Sequence, residues 1–254
     1  MDPGWWTPTD AYCERCSPDF WAEPFNAASN AAFLVAAALV ARRAIAAGAA
    51  GPRAAVLVGL LVVIGIGSFL FHTFANRWSL LADVIPIALF ILVYFALAMR
   101  TFFGLGWGAA VAATLLYEAV AAGVGMLWGG WARGRGGDPL NGSFDYLPAA
   151  LAMLVIGCLL IARPAAAASG YRLLTAAAVF GVSLAFRTID QAVCATLPVG
   201  THFLWHALNA LLLYLLCDAL FRHAASARAT HPAPIQPAGG TRSEGRSGAH
   251  RGRH

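Results

Sequence analysis

Apolar residues divide the chain into seven long blocks, at roughly 26–47, 54–75, 80–99, 103–127, 144–162, 171–194 and 201–221. Each approaches the ~20 residues that a helix needs to cross a bilayer. Between the blocks lie short stretches containing Gly, Pro and Arg, as expected of turns outside the hydrocarbon. The pattern predicts an all-α integral membrane protein of seven transmembrane helices. It divides into an extramembrane N-terminal segment (1–25), the seven-helix domain (26–221) and a tail (222–254) whose Pro, Gly, Ser and Arg content predicts disorder. The third and fourth helices are expected to be joined by a tight turn near Arg100 and Phe103.

Composition agrees with this class. Of 254 residues, 59% are hydrophobic and 11% charged, against about a quarter charged in soluble domains. The first 25 residues contain Trp, Pro and acidic groups and lack the basic and apolar regions of a cleavable signal, so the first helix is expected to act as the insertion signal. All 17 basic residues are arginine. Arg42, Arg43, Arg53, Arg100, Arg163, Arg172, Arg222 and Arg228 fall on one side, and Arg15, Arg77, Arg133 and Arg135 on the other. The arginine-rich side predicts a cytosolic C-terminus and an N-terminus outside. The net charge of +5 therefore reads as topology and anionic-lipid contact rather than nucleic-acid binding, and no obligatory protein partner is evident. Arginine in place of lysine and abundant alanine suggest a GC-rich prokaryotic source, hence a multi-pass protein of the plasma (inner) membrane.

Polar residues inside the blocks are costly in lipid and mark functional positions. The second block ends near His72, the third begins with Asp83, the sixth ends with Arg187 and Asp190, and the seventh begins with His202 and His206. With seven alternating spans, all of these lie in the leaflet that the N-terminus faces. His202 and His206 are four apart and share a helix face, as do Ser68 and His72. Three imidazoles from two helices form the set that leaves zinc one open position for water. The remaining four histidines all fall in the expected tail. Arg187 and Asp190, three apart, could pair on one helix. Asn141 and Asp145 are expected to cap the fifth span, and Glu118 is a lone carboxylate of open role. Cys158, Cys194 and Cys217 read as small apolar residues, whereas Cys13 and Cys16 form a C-x-x-C compatible with an outside disulfide.

The chain resembles the alkaline ceramidases and, more widely, the seven-helix hydrolase superfamily that includes the progestin and adiponectin receptors. The resemblance covers most of 5–221 and is carried by WAEPFNAASN, GSFLFHTF, the aspartate of LLADVIP, FRTIDQ and GTHFLWH. It implies a zinc amidase cleaving the N-acyl bond of ceramide or a related N-acyl lipid, with His72, His202 and His206 as ligands and Asp83 and Ser68 beside the metal. Zinc in such a site brings the pKa of its water to about 7; Asp83 would carry the proton to the leaving amine, and Ser68 would stabilise the oxyanion. The resemblance also implies a calcium ion on an acidic N-terminal cluster. Glu14 and Glu23 match that cluster, but Ala11 and Cys16 replace its aspartate and asparagine. Two other readings of the histidines are a lipid receptor or sensor with a structural zinc site, and a haem carrier. The second is disfavoured by two ligands on one helix.

Overall fold

The computed structural model describes residues 4–230. It is all-helical, and seven helical segments are long and apolar enough to cross a membrane. The first is built from α1 (Pro24–Ser29) and α2 (Ala31–Ala46), which meet at Asn30; the others are α3 (Pro52–Phe74), α4 (Arg77–Phe103), α5 (Trp107–Gly134), α6 (Leu147–Ile161, preceded by a 3₁₀ turn at Ser143–Tyr146), α7 (Ala167–Val193) and α8 (His202–Thr230). Proline opens α1 and α3, where its missing N–H costs nothing and its fixed φ suits a first turn.

Two local signals set the elements nearest the polar cluster. The connection between α3 and α4 is only Ala75 and Asn76. Ala75 turns left-handed (φ 42°), and Asn76 and Ser79 form a reciprocal cap on α4 that satisfies otherwise orphaned donors. This brings the end of α3, with His72, directly beside the start of α4, with Asp83. Further along, α4 stops at Gly104 in the left-handed conformation, slightly beyond the expected turn.

Helices α2, α3 and α4 pack in sequence on one side, α6, α7 and α8 on the other, and α2 closes against α8. The buried core includes Leu57, Leu61, Ile64, Phe90, Leu160 and Leu173. By contrast, α5 packs on α4 and the 3₁₀ turn and exposes Leu115, Leu116, Met126 and Leu127, a surface suited to acyl chains. Residues 4–23 fold back over one end of the bundle. Thr9 N–H donates to the Ala75 carbonyl (2.8 Å), and Arg77 N–H donates to Thr7 (3.1 Å). A disulfide joins Cys13 to Cys194, at the end of α7. The pairing corrects the reading of Cys194 as an inert apolar residue, and Cys16 is free and exposed.

Two further expectations change. Helix α8 continues to Thr230, so residues 222–230 are helical rather than tail; His223 packs against Phe102 and bonds Ser169 (3.0 Å). Residues 231–254 lie outside the described residues. Neither Asn141 nor Asp145 caps the fifth span. Asn141 donates to the Arg187 carbonyl (3.1 Å), and Asp138 holds the turn by accepting from the Leu140 and Gly142 amides.

At the bundle end opposite the N-terminal segment, Asp218 on α8 binds Arg43 of α2, Arg222 (2.8 Å) and, at 3.9 Å, Arg172 of α7. Its arginines are partly exposed, so screening limits the value of the cluster. Asp218→Asn should lower stability by about 1–2 kcal/mol, read as a fall of about 2–8 °C in Tm for a chain of this size by thermal unfolding in detergent.

Candidate metal centre

The three histidines predicted from spacing converge. His72, His202 and His206 are buried, and one ligand atom from each lies within 4.8 Å of the other two. Their ring centroids are 4.6–5.2 Å apart. This group can hold a metal ion, and two observations fit that use. His72 Nε2 and His202 Nδ1 are buried without a protein partner, a costly condition unless something else binds there. The far nitrogens of the other pair of contacts are held: Glu23 Oε2 lies 2.6 Å from His72 Nδ1, and Ser29 Oγ lies 2.8 Å from His206 Nδ1. Such outer partners fix ring orientation and leave Nε2 free as ligand.

The N-terminal segment builds the rest of the surround. Tyr12 stacks on His202 with ring centroids 3.6 Å apart, and its hydroxyl accepts from Arg187 (3.0 Å). Burial raises the Tyr12 hydroxyl above its ordinary pKa, although Arg187 opposes this. Arg187 also faces the rings of Tyr146 and Trp205. Asp190 does not pair with Arg187. Its Oδ1 accepts from the amides of Thr201 (2.7 Å) and His202 (2.9 Å), and its Oδ2 from Cys13 (3.0 Å). Asp190 therefore caps the start of α8 and sets where His202 stands. Gly200, at φ 62°, makes room: a Cβ there would come within 2.2 Å of Asp190 Oδ1.

Ser68 and Asp83 are both buried near the histidines. Ser68 Oγ lies 3.5 Å from His206 Nε2, and Asp83 Oδ1 has no hydrogen-bond partner. Both, with His206, line an apolar cavity of about 100 Å³. Its wall follows α4 from Asp83 to Phe102, a length of ~28 Å at 1.5 Å per residue. Aromatic and aliphatic groups, among them Phe90, Tyr94, Phe180 and Leu213, form most of the lining. Glu118 is half-buried on α5 and is not among these lining residues.

The family model for ceramidases matches residues 7–232. The chain belongs to the ceramidase family. Among curated proteins, none matches it significantly. Family membership supports a ceramide-hydrolysing, amidohydrolase function.

The calcium ion implied by resemblance to alkaline ceramidases does not fit the N-terminal cluster of this ceramidase-family chain. Both Glu14 oxygens accept main-chain amides, from Phe25 (2.7 Å) and Asn26 (2.8 Å). Glu23 accepts from Arg15 (2.5 Å) and Asn26 (3.0 Å) besides meeting His72. Burial would raise the Glu23 carboxyl, but the hydrogen bond and charge of His72, with the bonds from Asn26 and Arg15, hold it below the usual carboxylate range. Asp10 and Asp19 are exposed and supply no replacement in the buried cluster.

Sequence reasoning missed Tyr12, Arg15 and Ser29. Ser29 lies within WAEPFNAASN and could have been flagged there, whereas nothing in the spacing of Tyr12 or Arg15 announces a contact across the fold. It also missed why Gly67 stands beside Ser68. A Cβ on Gly67 would lie 2.0 Å from the Ala82 carbonyl oxygen, so only glycine permits the approach of α3 to α4 that brings Ser68 and Asp83 into one wall. Gly67→Ala should lower amide hydrolysis about 100-fold by displacing these groups, with helix content unchanged by circular dichroism. Gly59→Ala, on the same helix with open space around it, should be neutral in the same assay.

Proposed function

We propose that this protein is a zinc-dependent lipid amide hydrolase that works within the membrane, cleaving the N-acyl bond of ceramide or a related N-acyl lipid to a fatty acid and an amine. The observation that carries this reading is the meeting of Ser68, Asp83 and His206 at one end of a long apolar cavity, beside a three-histidine group with unpartnered nitrogens. Three imidazoles and no thiolate or further carboxylate in the set suit zinc. Bound there, zinc would supply Lewis acidity, acidifying water and polarising the amide carbonyl.

The protein's own groups divide the remaining work. The apolar wall along α4 takes an acyl chain and keeps bulk water from the reacting end. Asp83, with a free oxygen, accepts the proton of the attacking water and delivers it to the amine nitrogen as the C–N bond breaks, because an amide anion leaves poorly. Ser68 donates a hydrogen bond to the carbonyl oxygen as negative charge develops on it. Glu23 and Ser29 hold His72 and His206, and Asp190 and Tyr12 hold His202.

The Cys13–Cys194 disulfide supports placing this end of the bundle on the oxidising, outer side of a plasma (inner) membrane, in agreement with the arginine distribution. A receptor or sensor with a purely structural metal would have no use for the unpartnered Oδ1 of Asp83.

Detergent-purified protein should contain one zinc per chain by elemental analysis and release fatty acid from a short-chain fluorescent ceramide. Asp83→Ala should lose about 10³-fold in kcat, within the range of general acid–base catalysis, while keeping its zinc. His206→Ala should lose the zinc. A zinc-loaded wild type that releases no fatty acid from any N-acyl lipid would refute the hydrolase and favour the receptor.

A further inference from the structure

The Arg15 side chain is buried and surrounded by oxygen. Its Nε donates to Glu23 Oε1 (2.5 Å), Nη1 to the carbonyls of Ser17 (3.1 Å) and Asp19 (3.5 Å), and Nη2 to the carbonyl of His72 (3.1 Å). One carboxylate oxygen and three main-chain carbonyls converging on a single centre form the kind of all-oxygen set that hard cations take. Here the centre is a guanidinium tethered to the same loop. The His72 carbonyl lies in the last turn of α3, where carbonyls lack helical partners and a positive charge is favourable. The same Glu23 carboxylate that Arg15 grips through Oε1 holds His72 Nδ1 through Oε2. Arg15 thus contacts both the main chain of His72 and the carboxylate that orients its ring.

We propose that Arg15 is a built-in cation that organises residues 15–23 in place of a dissociable calcium ion and, through Glu23, is a positioning residue for His72. A guanidinium carried by the chain needs no free ion and cannot be removed by a chelator. Its fork of donors also fixes direction, which a spherical ion does not. The protein's fold and metal centre are accordingly indifferent to calcium. The effect on His72 rests on the reading of the histidines as a zinc site; the indifference to calcium does not.

The test uses the full chain in detergent. In the first arm, Tm is measured while calcium chloride is titrated, with zinc held constant. The expected result is no saturable shift, and a saturable rise in Tm would overturn the proposal. In the second, zinc affinity is measured by competition with a chromogenic chelator for the wild type, Arg15→Ala and Arg15→Lys. Loss of a partner behind a metal ligand weakens affinity by about 10–100-fold, and that loss is expected for Arg15→Ala, with Arg15→Lys between the two. Millimolar guanidinium should restore part of the affinity of Arg15→Ala and leave the wild type unchanged. Equal affinities in wild type and variants, or a loss that guanidinium does not recover, would reduce Arg15 to a packing residue. If Arg15→Ala does not fold, Arg15→Lys and the calcium titration decide. A wild type that binds no zinc would overturn the proposed function, and the calcium titration would still decide what stands in the Arg15 cradle.

Discussion

Glu23 is the joint on which the polar end of this bundle depends. It immediately precedes the proline that opens α1, and its two oxygens face in different directions: one to Arg15, the other to His72 and Asn26. A carboxylate with a side chain only 3% exposed persists because both of its oxygens find donors. Through it the N-terminal segment, the first span and α3 are locked into one arrangement. Remove this carboxylate and the Arg15 guanidinium is left buried and under-satisfied, while the His72 ring loses the contact that aims it.

The same requirement explains why so much of the N-terminal segment is folded over the bundle. Imidazoles, a carboxylate and a serine buried near one end of a helix bundle cannot rely on lipid for hydrogen bonds. The protein provides partners from residues 12–29 and from the capping carboxylate of Asp190, while a disulfide ties Cys13 beside the end of α7. Among the buried polar atoms left without protein partners, His72 Nε2, His202 Nδ1 and Asp83 Oδ1 are ones to which the proposed chemistry gives a use. At the other end of the bundle, Asp218 and its arginines meet a similar requirement with a salt-bridge cluster.

Close helix approach is the second constraint. Gly67 lets α3 and α4 touch at Ala82, and the two-residue turn at Ala75 and Asn76 keeps them together from the start. The cavity begins where this contact ends. Its polar end and its apolar length along α4 therefore follow from one pair of helices, with α8 contributing His206 and Leu213.

What could be read from the sequence is what depends on local or periodic properties. Seven spans follow from apolar length alone. The convergence of His72, His202 and His206 follows from two four-residue spacings combined with the parity of seven crossings, which puts the ends of alternate helices in one leaflet. Contacts between distant segments leave no such trace. Nothing in the spacing of Cys13 and Cys194 couples them across 181 residues, and a motif of two nearby cysteines suggested a different pairing. Arg187 and Asp190 sit at a spacing that permits an ion pair, yet the carboxylate is claimed by the start of α8 and the guanidinium by Tyr12, because buried main-chain amides must find acceptors. Glu14 and Glu23 read as ligands for an ion until the fold places the Phe25 and Asn26 amides on one and Arg15 on the other. Hydrophobic length and helical period are properties of neighbouring residues and survive in the linear chain; which donor meets which buried oxygen is decided only when the chain has closed.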